Sequence, residues 1–140
     1  PNVLIAARLV ARGLKHPFDR SLMVHRLKVA LGLRERIYSE PHYRLVHGEA
    51  DGLPGLVLDR YGDVLVGQIG TLAMEQRRAD IEHAIVKVLK PRALVWKNRG
   101  GFRALEDLPE YVEVAHGEVP DLVQAHVAAL LAFRKRGAVA

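Results

Sequence analysis

Apolar residues recur at three- and four-residue steps between Ser21 and Tyr38: Leu22, Met23, Leu27, Ala30 and Leu31, with Arg34 continuing the stripe and Ile37 one turn later. That period predicts a helix. Asp19 stands where an N-cap belongs. Pro41 ends the helix and favours extended chain just before it. The opposite side carries Arg20, His25, Lys28, Glu35 and Arg36, the composition of a solvated face. Beyond Pro41 the period changes. Tyr43–Val46, Gly55–Asp59 and Val64–Ile69 read as short strands, the last two joined as a hairpin across Arg60–Asp63. Gly67 marks a bulge or a close backbone approach. A second helix is predicted from about Leu72 to Leu89, with its stripe at Ile81, Ala84, Ile85, Val88 and Leu89 and its end at Lys90 and Pro91. Ala93–Trp96 reads as a strand, Arg99–Gly101 as a turn and 102–108 as a short helix. Tyr111–Ala115 alternates like a strand with one wet face.

The two ends read differently. Residues 3–10 are an apolar run, strand or helical turn, broken at Gly13 and Pro17. Residues 121–140 are alanine-rich, with Leu122, Val123, His126, Val127, Leu130 and Leu131 at helical spacing. They end in Arg134-Lys135-Arg136, and basic residues at a helix C-terminus need no ligand to explain them. The whole order predicts an α+β fold. Its sheet is mixed and mainly antiparallel, with flanking helices, and a connecting helix precedes it.

A chain of 140 residues suits one compact domain, or a small domain with attached pieces. Its formal charge of +5 favours polyanionic partners, nucleic acid above all. The absence of cysteine removes disulfides and any thiolate nucleophile, and fits a reducing compartment. No apolar run approaches the ~18 residues that span a bilayer. The N-terminus lacks the basic region of a signal peptide, and it lacks an initiating Met.

Three kinds of chemistry deserve weighing. Glu49, Asp51 and Asp59 lie close together, and paired carboxyls can do acid–base work. Asp51-Gly52 and Pro54-Gly55 are also ordinary turn signals, which is the favoured reading. His-Gly-Glu occurs twice, at His47–Glu49 and His116–Glu118, but its spacing matches no zinc pattern, so no metal site is expected. There is no GxSxG elbow, P-loop or GxGxxG segment after a strand. The third kind is recognition of nucleic acid. Tyr43, Arg44, Arg60, Tyr61, Trp96, Lys97, Arg99, Phe102 and Arg103 gather beside predicted strands and turns. RNA recognition combines stacking planes with cations in this way. Trp96 reads as core. The candidate RNA-binding residues are Arg44, Arg60, Lys97, Arg99 and Arg103.

One long stretch carries a resemblance. YRLVHGEADGLPGLVLDRYGDVLVGQI, Tyr43 to Ile69, resembles the central module of bacterial S-adenosylmethionine-dependent RNA methyltransferases, the 23S rRNA cytosine-5 methyltransferase I family. IAARLVAR, within Asn2 to Arg12, is similar to the end of that family's PUA domain, and DRSLMVHRLKVALGLRERI to its connecting helix. MEQRRADIEHAIVKVLKPRALVWKN and LPEYVEVAHGEVP resemble the rest of the module. The resemblance implies four parts: a PUA-like remnant at 1–18, the connecting helix at 19–39, the central α+β module at 40–120, and a divergent basic tail at 121–140.

It further implies a cytoplasmic protein with rRNA as partner. The chain would bind the RNA substrate and position domains, while catalysis lies elsewhere. S-adenosylmethionine and the catalytic residues belong to a third, Rossmann-like part of the family. Its cofactor loop, DPP-type motif and nucleophilic cysteine are not found in this sequence. No catalytic or cofactor-binding residue is therefore expected here, and the chain reads as a piece of a larger enzyme. On this view Glu49 and Asp51 belong to an organising loop near the substrate cleft. The competing expectation is a protein–protein module that dimerises with a second copy.

Overall fold

The computed structural model describes residues 7–13 and 17–120. The expectations for residues 3–6 and for the tail at 121–140 lie outside them. Helix α1 (Arg20–Ile37) leads. Strand β1 (His42–His47) follows, then a short 3-10 turn at Gly48–Asp51. Strands β2 (Leu56–Tyr61) and β3 (Val64–Ile69) form the hairpin. Helices α2 (Leu72–Gln76) and α3 (Arg78–Leu89) precede strand β4 (Ala93–Asn98). Helix α4 (Gly101–Leu105) and strand β5 (Tyr111–Gly117) complete the order. The sheet runs β1-β2-β3-β4-β5, and only β3 and β4 pair in parallel. The fold is thus α+β with a mixed, mainly antiparallel sheet behind a leading helix, as its periodicity predicts.

The predicted caps form. Asp19 Oδ1 accepts from Leu22 N at 3.0 Å and satisfies one orphan donor of the first turn of α1. The predicted helix from Leu72 to Leu89 is instead interrupted at Arg77, whose φ of −104° and ψ of 17° leave helical geometry. Two anchors account for the break. Glu75 is held by Arg103 and Tyr111 near the sheet, while Arg20 on α1 pairs with Asp80 on α3 at 2.6 Å. The local period carries no record of such long-range ties.

Helices α1, α2 and α3 contribute Met23, Leu27, Met74, Ile81 and Ile85 to one core, against Leu56, Leu58, Leu65, Leu94 and Trp96 of the sheet. Trp96 is fully buried, and its indole N–H donates to Glu82 at 2.7 Å. Gly67 marks the close approach, since a Cβ there would lie 2.4 Å from the Trp96 ring. A bulge near Leu45 lets Leu45 and Val46, neighbours in sequence, both reach the interior.

Candidate nucleic-acid interface

The strand register decides which side each cation occupies. Arg44, Asp59, Val66 and Val95 form one cross-strand row, so their side chains share a face. The neighbouring row, Leu58, Gly67 and Trp96, points into the helix-covered core. Arg44 therefore lies on the face away from the helices. Lys97, two residues beyond Val95 on β4, shares that face. Arg60 points the other way, beside Tyr43 on β1.

Each candidate has a distinct environment. Arg44 donates to Asp59 at 2.9 Å, and its side chain is 46% exposed. Arg60 donates to the Tyr43 hydroxyl at 2.8 Å and to Gly62 O at 2.9 Å. Tyr43 stacks on Tyr38 with ring centroids 5.3 Å apart, and Tyr38 is largely exposed. This Arg60–Tyr43–Tyr38 series is an aromatic and cationic edge of the kind that nucleobases stack on. Sequence reasoning missed Tyr38, because a tyrosine ending a helix gives no sign of stacking on the next strand. Lys97 is half-buried, and Arg99 lies 3.9 Å from Glu110 in a loose ion pair.

Arg103 corrects an expectation. It is 2% exposed and lies inside the fold. Its guanidinium donates to Pro109 O at 2.9 Å, Ile69 O at 2.5 Å and Glu75 at 3.1 Å, over the Tyr111 ring. A side chain so placed does not reach a phosphate. Asn98 works beside it and was not singled out from the sequence. Fully buried at the end of β4, it accepts from Ile69 N at 2.6 Å. Together they cap the main chain of Ile69 where β3 and β4 part.

The loop from His47 to Gly55 divides its two carboxylates. Asp51 receives two bonds from Arg34, at 3.0 and 2.9 Å, and one from His47 N at 2.7 Å. It ties the loop to α1. Arg34 sits on the apolar stripe of that helix, and this is the one sequence sign of the tie. Glu49 is 59% exposed and pairs with Arg8 at 2.5 Å. A hydrogen bond to its own backbone, offset in part by burial and reinforced by Arg8, holds its carboxyl below the usual range. A carboxyl held low is a poor proton donor. The loop is thus a turn clamped to α1 through Arg34 and Asp51. The two His-Gly-Glu copies end up on opposite edge strands, β1 and β5. Among the described residues no three His, Asp or Glu side chains gather as metal ligands.

Ile69, Asn98 and Arg103, each 2% exposed or less, pack together at the carboxyl end of β3 and β4. Among the described residues, no helix is long and apolar enough to cross a membrane.

Comparison with known proteins agrees with this architecture. No protein-family model matches the chain. Ribosomal RNA large subunit methyltransferase I of Vibrio cholerae is 32% identical over 109 residues, which is 76% of this chain and 28% of that protein. The Aeromonas hydrophila protein of the same name is 34% identical over 120 residues, 83% of this chain and 30% of its own. A Streptococcus mutans structure described as a SAM-dependent methyltransferase shares the fold, with a TM-score of 0.66 at 18% identity over 81% of this chain and 29% of that one. A methyltransferase structure complexed with SAH aligns with a TM-score of 0.62 at 16% identity, over 76% of this chain and 27% of its own. Over most of its length the chain is thus a homologue of the ribosomal RNA large subunit methyltransferase I proteins, and it spans about 30% of their length.

Proposed function

We propose that this chain is the RNA-gripping and domain-positioning portion of an S-adenosylmethionine-dependent rRNA cytosine-C5 methyltransferase, with methyl transfer performed outside it. The observation that carries this reading is the similarity to rRNA methyltransferases over 76% of this chain, which corresponds to 28% of the Vibrio cholerae relative. The geometry supports a grip. Arg44 and Lys97 share the face away from the helices, Arg60 and Tyr38 form the stacking edge, and Arg99 stands past the end of β4. Glu49 is the outward member of its loop and faces the substrate cleft of the complete enzyme. Glu49→Gln in a full-length relative then alters turnover or RNA affinity, and unchanged values for both would remove Glu49 from the reading.

The direct test is fluorescence anisotropy of a labelled rRNA fragment with this chain, at low and at moderate salt. Several neutralised phosphates give binding that weakens steeply as salt rises. No binding at low salt would overturn the reading. Calorimetry with S-adenosylmethionine should show no binding to this chain.

A second reading, a homodimer, has one observation in its favour. Val29, Leu33 and Ile37 form an exposed stripe on α1, 59%, 47% and 62% exposed, beside an open groove. Sedimentation velocity distinguishes the two: a dimer at micromolar concentration would favour it.

A further inference from the structure

Tyr38, Tyr43 and Arg60 lie on the helix-covered side of the sheet, where β1 begins. The far side of the same corner carries a second set. His42 on β1 stands opposite Tyr61 on β2 in the ladder. Residues directly opposite in an antiparallel pair share a face, with Cβ atoms about 5 Å apart. Tyr61 is two residues beyond Asp59, and His42 two before Arg44, so all four lie on the face away from α1 and α3. Burial along β2 agrees: Leu56 and Leu58 are in the core, whereas Tyr61, out of step with them, is 56% exposed.

The four tyrosines of the chain differ in what holds them. Tyr38 and Tyr43 stack on each other, and Arg60 lies over Tyr43. Tyr111 donates to Glu75 and lies beneath Arg78 and Arg103. Tyr61 is the most exposed of the four and has no ring or hydrogen-bond partner among the described residues. A ring left in water forgoes the large burial that aromatic side chains supply, so a fold gains nothing from placing it there. His42 beside it is exposed as well. Its Cε1 lies 4.0 Å from where a Cβ on Gly62 would stand. With a φ of 66° that turn position favours glycine, so the turn puts no side chain over the imidazole. Arg44 completes the corner, about 7 Å along β1 from His42 on the same face.

We propose that Tyr61 and His42 form a stacking site for an unpaired nucleobase, with Arg44 on a neighbouring phosphate. The inference rests on the RNA reading above and narrows it, because the ligand is then single-stranded. Flat rings take up bases that are splayed out of a helix, where the base face is not already covered by its neighbours. The charges set the direction of the strand. Asp63, exposed in the hairpin turn, repels phosphate on one side of Tyr61, and Arg44 attracts it on the other. Exposed Tyr38 and exposed Tyr61 stand on opposite sides of the edge strand and its neighbour. A flexible single strand can bend round that edge to meet both, which a stiff duplex cannot.

The test uses the full chain and a labelled single-stranded fragment of rRNA, alone and annealed to its complement, read by fluorescence anisotropy. The chain should bind the single strand more tightly than the duplex. Tyr61→Ala should weaken single-strand binding about tenfold, the loss of one stacked base. It should leave duplex binding unchanged and keep the parent's salt dependence, because no phosphate contact is removed. Tyr61→Phe keeps the ring and should stay within about twofold of the parent. Parent-like single-strand binding by Tyr61→Ala, an equal loss on both RNAs, or a Phe variant as weak as the Ala variant would each overturn the proposal. A second measurement needs no variant. The ring-proton resonances of Tyr61 should move upfield when the single strand is added, and stay in place with inorganic phosphate; resonances that ignore the RNA would also overturn it. No binding of either RNA at low salt would remove the RNA reading and this one together, whereas RNA binding that is indifferent to Tyr61 would remove this one alone.

Discussion

On the helix-covered side of the sheet, Arg103 is 2% exposed and meets two carbonyls, a carboxylate and an aromatic ring. On the side away from α1 and α3, the Arg44 side chain is 46% exposed and pairs with Asp59 on the adjacent strand. The two residues carry the same group under opposite physics. A buried guanidinium is costly unless its donors find acceptors, so it organises the chain around it. An exposed one is weakly held, because water competes with its carboxylate and salt screens the pair. It can exchange that carboxylate for a phosphate at little cost. Charge alone therefore does not mark a binding residue; the strength of its partners inside the fold does.

The comparison is broken most severely by Arg103→Ala. The change takes the guanidinium's bonds from the carbonyls of Ile69 and Pro109 and from Glu75, which keeps the Tyr111 hydroxyl. Losing one partner of a buried pair costs about 3–5 kcal/mol. The urea midpoint should fall accordingly, and a loss under about 1 kcal/mol would show that the site does not depend on the guanidinium. Next comes Asp51→Ala, which frees Arg34 and leaves His47 N unpaired. The Arg34 side chain is 15% exposed and can recover some hydration, so a smaller loss of about 2 kcal/mol is expected. Glu49→Gln in the same loop should stay within about 0.5 kcal/mol, since its pair with Arg8 is at the surface. Equal losses for the two would undo the distinction between the clamp and the outer carboxylate.

These residues also show what a sequence can and cannot disclose. The stripe of α1, the Asp19 cap and the hairpin at Gly62 were legible because each depends on neighbours within a few residues. The loop at Asp51 was legible as a turn for the same reason. Arg103 was not legible as core. Its partners lie six, twenty-eight and thirty-four residues away, and a cation between turns looks the same whether buried or wet. The break at Arg77 was hidden for a related reason, as it follows from ties that Glu75 and Asp80 make in different directions. Tyr38 and Asn98 lacked any local signal. The division of the cations between two faces required the register, which pairs Arg44 with Asp59 and places Lys97 beyond Val95.

Tyr111 sharpens the comparison through pH. It packs beneath Arg103, and its hydroxyl donates to Glu75 at 2.6 Å. Burial first, and Glu75 second, raise its pKa. The folded state thus favours the neutral phenol more than the unfolded chain does. That contribution is fully present below the unfolded value of about 10 and is lost as pH rises through the folded value. Stability should decline above about pH 10 more steeply in the parent chain than in Tyr111→Phe. At neutral pH the variant should lose only about 1 kcal/mol, one hydrogen bond's worth. Parallel alkaline profiles for the two proteins would show that Tyr111 is not the group responsible.

Arg44→Gln should have the smallest effect on stability and is the most informative about function. The pair with Asp59 is a surface pair, so the urea midpoint should move by less than about 0.5 kcal/mol. RNA binding should respond differently. Each phosphate released removes about 0.7 from the slope of log affinity against log salt for a single strand, and about 0.9 for a duplex. If Arg44 holds one phosphate, the variant binds more weakly at low salt and its slope is shallower by about that amount. The control is Asp59→Asn, which removes the competing carboxylate and leaves the guanidinium. It should strengthen binding, because Arg44 then gives up no ion pair to meet the phosphate. Weaker binding in both variants would mean that the pair acts as a structural unit, and that the face away from α1 and α3 grips RNA through Lys97 or not at all.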